Sequence, residues 1–144
     1  MTEKIAIIRI SGMVKMRRDM EETLSRLRLR KKYVCVVITP TKETTGMIRK
    51  IENFVAYGNI NQETFDKLVE KRGQPVDKKK KIDFKKAAEE ILKGKKYEEL
   101  NLKSFFRLHP PRGGIDSKKH FGVSKKAVLG NHKEKINVLI ERML

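Results

Sequence analysis

Several kinds of residue are scarce in this chain of 144 residues, and each scarcity excludes a class of protein. Cys35 is the only cysteine, so the chain can form neither an internal disulfide nor a CxxC zinc site. No apolar run approaches the roughly 20 residues that a membrane helix needs, and Met1 to Lys4 lead into a strand-like segment instead of a signal peptide. These absences predict a soluble, cytoplasmic protein in a reducing compartment, with no membrane partner.

Aromatic residues are also few. Tryptophan is absent, and phenylalanine and tyrosine together make up 6% of the residues. Proteins that bind single-stranded RNA usually present stacking aromatic rings on an open sheet, and the sequence lacks the signature of the RRM module. If the chain binds RNA, we therefore expect it to recognise phosphates and shape.

Acidic residues are outnumbered by basic ones, 18 to 35, which gives a formal net charge of +17. A small protein with this charge is attracted to polyphosphates and releases the counterions condensed on them. Hydrophobic residues make up 38% and are spread throughout, so the chain is expected to fold. Nucleic acid is the expected partner, although charge alone does not identify which one.

Three short segments rich in β-branched or aromatic residues predict strands. Ile5 to Ile10 is apolar at both sets of alternating positions, which is typical of a central strand covered on both faces. Tyr33 to Thr39 is the second, closed by Pro40, and Phe105 to His109 is the third, closed by the loop that begins at Pro110.

Apolar residues at helical spacing predict five helices. The first carries Met20, Leu24 and Leu27. The second is expected to begin at Thr44 or Thr45, to keep Phe54 and Val55 on its apolar face, and to end at Gly58. The other three are expected over 61–72 with an Asn61 cap, from Asp83 to Gly94, and after an Asn131 cap, with Ile136, Leu139, Ile140 and Met143 buried.

These elements predict one domain in three parts. Residues 1–58 form a strand-helix-strand-helix core, and residues 59–104 form a helical insertion. Residues 105–144 supply the third strand, a basic loop and a C-terminal helix that complete the same domain. A simple first crossover would place the loops at Gly12 and Thr44 at one end of the sheet, whereas a loop running along the sheet would separate them.

Four groups of residues at the predicted strand-helix junctions are candidates for binding RNA phosphates. Arginine forks suit phosphate oxygens, helix starts offer backbone N–H groups, and glycines allow close approach. The groups are Lys15, Arg17 and Arg18; Arg28, Arg30, Lys31 and Lys32; Lys42, Thr44, Thr45, Gly46 and Arg49; and Arg107, His109, Arg112, Gly113, Gly114, Lys118 and Lys119.

Each group also has a purely structural interpretation. The basic clusters could be solvated surface, Thr44 to Gly46 could serve in helix capping alone, and Arg107 to Gly114 could be a turn after a strand. The run Lys78 to Lys81 is conspicuous but typical of diffuse electrostatic contact, so it ranks below the four groups.

The sequence offers no constellation for catalysis. His109, His120 and His132 have no spaced partners for a metal site or a triad, so we expect no catalytic residues, no metal and no cofactor. One alternative is a nucleotide- or phosphate-using enzyme built around Thr44 to Gly46, which would lack both a Walker lysine-serine pairing and an acidic set of metal ligands. The other alternative is a non-ribosomal RNA-binding or RNA-chaperone protein, which the same charge would serve.

The order of several segments resembles the large-subunit ribosomal protein thirty family, whose eukaryotic relatives are called protein seven. The segments are IAIIRISGMV, TLSRLRLRKKYVCVVITPT, TGMIRKIENFVAYG and FFRLHPPRGGI. The helical stretch between Gly58 and the third strand, and the absence of a long basic N-terminal extension, resemble archaeal members. One departure is Thr45, which stands where the bacterial pattern has an arginine.

The resemblance implies an α+β fold with a three-stranded sheet, the first strand in the middle and helices on one face, similar to a ferredoxin-like fold. It also implies a structural constituent of the large ribosomal subunit, non-catalytic, that binds ribosomal RNA near the 5S RNA. Neighbouring ribosomal proteins would be further partners, and no small-molecule substrate is expected. The RNA-facing loops of the family correspond here to Lys15, Arg17 and Arg18, to the turn from Arg28 to Lys32, to Thr44 to Gly46, and to Arg112 to Gly114.

Overall fold

The computed structural model describes residues 4–10, 17–81, 83–112, 114, 116–120 and 127–144, with the backbone alone described for 116–120 and 127. Within these residues the helices are α1 (Arg18–Arg26), α2 (Lys42–Ile51), α3 (Gln62–Arg72), α4 (Phe84–Leu92) and α5 (Ile136–Met143). The strands are β1 (Lys4–Arg9), β2 (Val34–Ile38), β3 (Val55–Ile60), β4 (Phe106–Arg107), β5 (Asp116–His120) and β6 (Ala127–Asn131).

The strands lie in the order β4-β2-β1-β3-β6-β5. β1 is antiparallel to both β2 and β3, β4 is antiparallel to β2, and β6 is parallel to β3. These five strands form a mixed sheet, and β5 pairs with the outer side of β6 in an irregular register. The α+β class agrees with the sequence, but the expected three-stranded sheet is wrong.

β3 is the strand that the sequence analysis assigned to a helix. α2 ends at Ile51, and Val55, expected on its apolar face, instead begins β3. Gly58, expected to stop the helix, lies within β3 against the chain that follows β6, where an added Cβ would be 2.2 Å from the carbonyl oxygen of Lys133. The glycine therefore permits a close approach between distant segments.

Helices cover both faces of the sheet, so the expectation of helices on one face is also wrong. One apolar cluster joins Ile7 of β1 to α1 and α2, and the other joins Ala6 and Ile8 to α3, α4 and α5. Successive strand residues point to opposite faces, so a strand with both sets apolar needs cover on both sides. The pattern of Ile5 to Ile10 predicted this arrangement correctly.

Two of the three helices after β3 begin at their predicted caps. Asn61 caps α3 by accepting a hydrogen bond from the Thr64 N–H, and Asp83 caps α4 in the same way through the Lys85 N–H. The residues of α5 expected in the core are all buried. Asn131, expected as its cap, instead ends β6, and a 3₁₀ turn separates the two.

The antiparallel pairing of β1 and β2 gives the sheet two distinct ends. Ile8, near the end of β1, pairs with Cys35 of β2, and Cys35 also pairs with Phe106 of β4. The chain therefore leaves both β1 and β4 at one end of the sheet, called here the Arg9 end. Ile5 pairs with Ile38, so the chain leaves β2 at the opposite end, called the Lys4 end. The loops that follow β1 and β2 are therefore at opposite ends of the sheet.

Candidate nucleic-acid interface

The turn between α1 and β2 has a fixed backbone that displays basic side chains. The Leu29 N–H donates to the Leu24 carbonyl at 2.8 Å and the Arg28 N–H donates to the Ser25 carbonyl at 3.0 Å, which together form a Schellman motif. Leu24 and Leu29 are both fully buried, as this motif favours. Arg28 thus occupies the left-handed position, with φ 64°, where glycine is usual.

Arg9 ties this turn to the end of the sheet. Its side chain is buried, and Nη1 donates to the Leu29 carbonyl at 2.8 Å, while its own carbonyl accepts from the Tyr33 N–H at 2.7 Å. Burial lowers the pKa of Arg9, and the nearby Glu21 acts in the opposite direction. Because a guanidinium stays protonated in proteins, Arg9 adds a fixed positive charge beneath the turn.

A cleft of about 250 Å³ lies between this turn and β4, and we call it the turn cleft. It is lined by Arg28, Arg30, Lys31, Val34, Phe105 and Arg107. Four of the six residues are cationic, and no described residue that lines the cleft is acidic. The fold therefore brings together members of two groups predicted separately, one from the α1–β2 turn and one from β4.

Two neighbouring clefts extend this basic surface. Arg30 also lines a cleft of about 470 Å³ with Arg9 and Arg18, although Glu21 and Glu22 share that cleft. Arg28 also lines a third cleft, of about 410 Å³, on the side of the turn toward Lys95 and Lys96. The turn cleft shares one lining residue with each of the other two, and its lining is the most uniformly basic.

Arg17 and Lys32, which also belong to the first two groups, are exposed at the same end of the sheet. Arg17 precedes α1 and lies 3.4 Å from a carboxylate oxygen of Asp19. The Lys32 Nζ lies 5.2 Å from the ring centroid of Tyr33. An exposed ion pair of this kind contributes little, so Arg17 can exchange its partner for a phosphate at small cost.

The start of α2 is at the Lys4 end, away from these residues. Thr41, and not Thr44 or Thr45, caps the helix: its hydroxyl accepts from the Thr44 N–H at 3.2 Å, and its carbonyl accepts from the Thr45 N–H at 2.9 Å. Both threonine hydroxyls also donate to the Thr41 carbonyl. These hydrogen bonds fit the capping interpretation, because the N–H groups of Thr44 and Thr45 point to Thr41 and not to an anion. Lys42, Gly46 and Arg49 are exposed nearby.

The loop after β4 is bound to the end of α5. The His109 N–H donates to the Met143 carbonyl at 2.9 Å, and the Arg142 guanidinium donates to the carbonyls of Arg112 and Gly114 at 2.7 and 2.9 Å. The structural interpretation as a turn is thus supported for the backbone. The side chains of His109 and Arg112 are exposed at the Arg9 end.

Four predicted residues lie wholly or partly outside the described residues. Lys15 and Gly113 lie outside the described residues, and so do the side chains of Lys118 and Lys119. The backbone of the two lysines belongs to β5, at the opposite edge of the sheet from β4. With strands about 4.8 Å apart, five steps separate these edges by about 24 Å, so β5 cannot contribute to the turn cleft.

Two residues of this surface, Arg9 and Phe105, are not among the residues predicted to bind RNA. Arg9 was counted within an apolar strand, and Phe105 was assigned only to the third strand. A charged residue in an otherwise apolar segment was a signal for Arg9. For Phe105 the signal was the doublet with Phe106: neighbouring strand residues face opposite sides, so one of two aromatic rings on an edge strand faces away from the larger core.

Two features are absent from the described part of the chain. No helix there is long and apolar enough to cross a membrane. Among the same residues, histidine, cysteine, aspartate and glutamate nowhere form a group of three or more that could hold a metal ion.

Comparisons with known proteins agree with the resemblance in the sequence. The model of the family described as Ribosomal protein L30p/L7e matches residues 5–55. The chain is 38% identical to the large ribosomal subunit protein uL30 of Archaeoglobus fulgidus, over 96% of this chain and 98% of that protein. It is 35% identical to the protein of that name in Methanococcus maripaludis, with the same coverage, and in Nanoarchaeum equitans, over 96% and 97%.

These matches are to archaeal proteins over nearly their whole length, so the prediction of an archaeal-type member is confirmed. The family consists of ribosomal proteins, which are structural components, and this confirms the prediction that the chain is not an enzyme. The chain belongs to the ribosomal protein L30p/L7e family.

Proposed function

We propose that this chain is a structural constituent of the large ribosomal subunit, in the cytoplasmic ribosome, and that it binds ribosomal RNA through the Arg9 end of its sheet. Family membership supports the first part, because its full-length relatives are large-subunit proteins. Association with other ribosomal proteins follows from the same membership. The resemblance in the sequence adds a position near the 5S RNA, which we include in the proposal.

The turn cleft is the observation that supports the RNA-binding surface. Arg28, Arg30 and Lys31 come from one segment and Arg107 from another, yet all four line one cleft. Charges this close lie within a Debye length, about 8 Å at physiological salt, so their repulsion is relieved when a phosphate binds among them. Guanidinium forks can grip phosphate oxygens in pairs, so the cleft suits an RNA backbone.

The buried scaffold of the turn explains how these charges could recognise a folded RNA. The Schellman motif and the Arg9 hydrogen bond hold the turn backbone, so less conformational entropy is lost when RNA binds. Lys78 to Lys80, by contrast, are exposed in a segment of turns and bends. We therefore assign the docking role to the Arg9 end and not to the lysine run.

Sedimentation of ribosomes tests this proposal. A tagged wild-type chain, expressed in an archaeal host beside the native protein, should remain with the large subunit in a high-salt gradient. The triple variant Arg30→Ala, Lys31→Ala, Arg107→Ala should be depleted from the subunit. The matched control Lys78→Ala, Lys79→Ala, Lys80→Ala removes the same charge and should remain bound. Equal retention of both variants would contradict the assigned surface, and a wild-type chain absent from the subunit would contradict the ribosomal role.

A further inference from the structure

We infer that the turn cleft binds one unpaired nucleotide of an RNA strand, with its base stacked on Phe105 and its phosphates held by the surrounding cations. This inference rests on the proposed function and deepens it. It also revises the sequence-based expectation that recognition uses phosphates and shape without aromatic stacking.

The position of Phe105 sets it apart from its neighbour Phe106. Phe106 is fully buried and belongs to the cluster under α3, α4 and α5, whereas Phe105 is half-buried on the opposite face of the sheet. Among the strands of the described residues, β4 lies at the edge and none covers its outer side. The Phe105 ring thus contributes to the wall of an open cleft, beside Val34.

Cations surround this ring. The Lys103 Nζ lies 5.9 Å and the Arg107 Cζ 6.0 Å from the ring centroid, and Arg28, Arg30 and Lys31 line the same cleft. A purely apolar ligand would leave these charges desolvated and unpaired, and a bare phosphate would not use the aromatic ring. A nucleotide has both a flat aromatic base and an anionic phosphate, so it matches both features.

The spacing of Arg107 and Phe105 also suits a base. A base inserted between the Phe105 ring and the Arg107 guanidinium would make a van der Waals contact of about 3.5 Å on each side. The ring and the guanidinium would then be about 7 Å apart. The separation in the structure is 6.0 Å, and Arg107 is exposed. A rotamer change of an exposed arginine therefore suffices to admit a base, which would then stack on Phe105 and beneath the Arg107 plane.

Two hexamers of equal charge separate stacking from phosphate binding. One is hexaadenylate, and the other is an abasic ribose-phosphate hexamer. Affinities of the full-length chain for both are measured at low salt for the wild type, Phe105→Leu and the control Phe84→Leu. Phe84 is likewise half-buried, but it packs on the opposite face and lines none of the three clefts. Thermal unfolding establishes that each variant is folded at the assay temperature.

We expect Phe105→Leu to weaken binding of hexaadenylate on the order of 5- to 100-fold and to leave binding of the abasic hexamer unchanged. Phe84→Leu should change neither affinity. A second variant, Phe105→Trp, keeps an aromatic ring and introduces the sole tryptophan of the chain. Its emission should be quenched by hexaadenylate and not by the abasic hexamer.

Other results overturn the inference in distinguishable ways. The stacking site is wrong if Phe105→Leu weakens the affinity for both hexamers equally or for neither. It is also wrong if hexaadenylate does not quench the tryptophan emission more than the abasic hexamer does. RNA binding through phosphates would stand in both cases. If the wild type binds neither hexamer, the RNA-binding surface fails as well. If adenosine monophosphate binds as tightly as hexaadenylate, the cleft is a site for a free nucleotide and the assignment to a strand is wrong.

Discussion

Replacing Arg28 with glycine should make the protein more stable and its RNA complex weaker. Arg28 occupies the left-handed position of the Schellman motif with φ 64°, a conformation that costs an L-residue about 1–2 kcal/mol and costs glycine nothing. Strain of this kind is retained where a side chain serves a function. The reasoning therefore predicts opposite effects on folding and on binding from one substitution.

The magnitude follows from three contributions to the free energy of unfolding. Relief of the backbone gains about 1–2 kcal/mol, and the greater freedom of glycine in the unfolded chain costs about 0.4–1 kcal/mol. The ion pair from Arg28 to Glu98, 4.0 Å long and exposed at both ends, contributes a few tenths of a kcal/mol at most. The net gain is about 0.5 kcal/mol, which raises Tm by roughly 1–2 °C.

The binding assay is a salt titration against large-subunit ribosomal RNA. Loss of one phosphate contact should lower the slope of log affinity against log salt by about 0.7–0.9. Arg28→Ala should weaken binding equally but should be less stable than Arg28→Gly by about 1 kcal/mol, because alanine retains the backbone strain.

The control is Lys133→Gly. Lys133 also has a positive φ, 53°, and an exposed side chain, but it follows β6, four strands away from β4. This substitution should relieve the same strain and remove the same charge with little effect on RNA affinity. The account of Arg28 is refuted if Arg28→Gly lowers the free energy of unfolding, or if it binds RNA as the wild type does.

Three other predictions follow from single positions. Gly46→Ala should raise the free energy of unfolding by about 0.5–1 kcal/mol without weakening RNA binding, because the glycine is helical and an added Cβ meets nothing within 4 Å. Gly58→Ala should lower the free energy of unfolding by about 1–3 kcal/mol in denaturant titrations, because the Cβ would clash with the Lys133 carbonyl. Burial lowers the pKa of His132 from 6.5, so the imidazole binds a proton more readily in the unfolded chain than in the folded one. The free energy of unfolding should therefore fall as the pH is lowered from about 7 to about 5. His132→Gln should flatten that dependence.

The failure of each prediction has a specific meaning. Weaker RNA binding by Gly46→Ala would show that an anion approaches the start of α2, against the capping interpretation. Unchanged stability of Gly58→Ala would contradict the close contact between β3 and the chain after β6. An identical pH dependence in wild type and His132→Gln would assign the effect to other groups.

Local signals in the sequence were sufficient for several elements. Asn61 and Gly73 correctly predicted both ends of α3, because capping depends on residues within one turn of the helix. The two apolar sets of Ile5 to Ile10 correctly predicted cover on both faces of β1, since that cover is determined by strand periodicity.

Where the prediction from sequence was wrong, the structure is determined by contacts between residues far apart in the chain. Phe54 and Val55 continue the helical spacing of α2, and Gly58 resembles a helix stop, so the segment was indistinguishable from the end of a helix. Pairing with β1 and β6 makes it a strand instead. The sequence around the start of β6 has no strong strand pattern. The parallel pairing of β6 with β3 depends on tertiary contacts, which override the intrinsic strand propensity of these residues.

The candidate site was likewise predictable in its local features but not in its three-dimensional arrangement. Basic residues at the strand-helix junctions could be identified one group at a time from composition. Their grouping in space could not, because it depends on the antiparallel pairing of β1, β2 and β4. That pairing unites the α1–β2 turn with Arg107 and separates both from Thr44 and Thr45.

Cross-linking of RNA to protein in intact large subunits shows which residues of this chain lie against the RNA. Subunits that contain this chain are irradiated, the protein is digested, and the cross-linked peptides are identified by mass spectrometry. We expect cross-links within residues 17–34 and 103–112, including Phe105. Cross-links confined to the start of α2 or to Lys78 to Lys81 would contradict the assigned surface, because α2 begins at the Lys4 end and Lys78 to Lys81 line none of the three clefts.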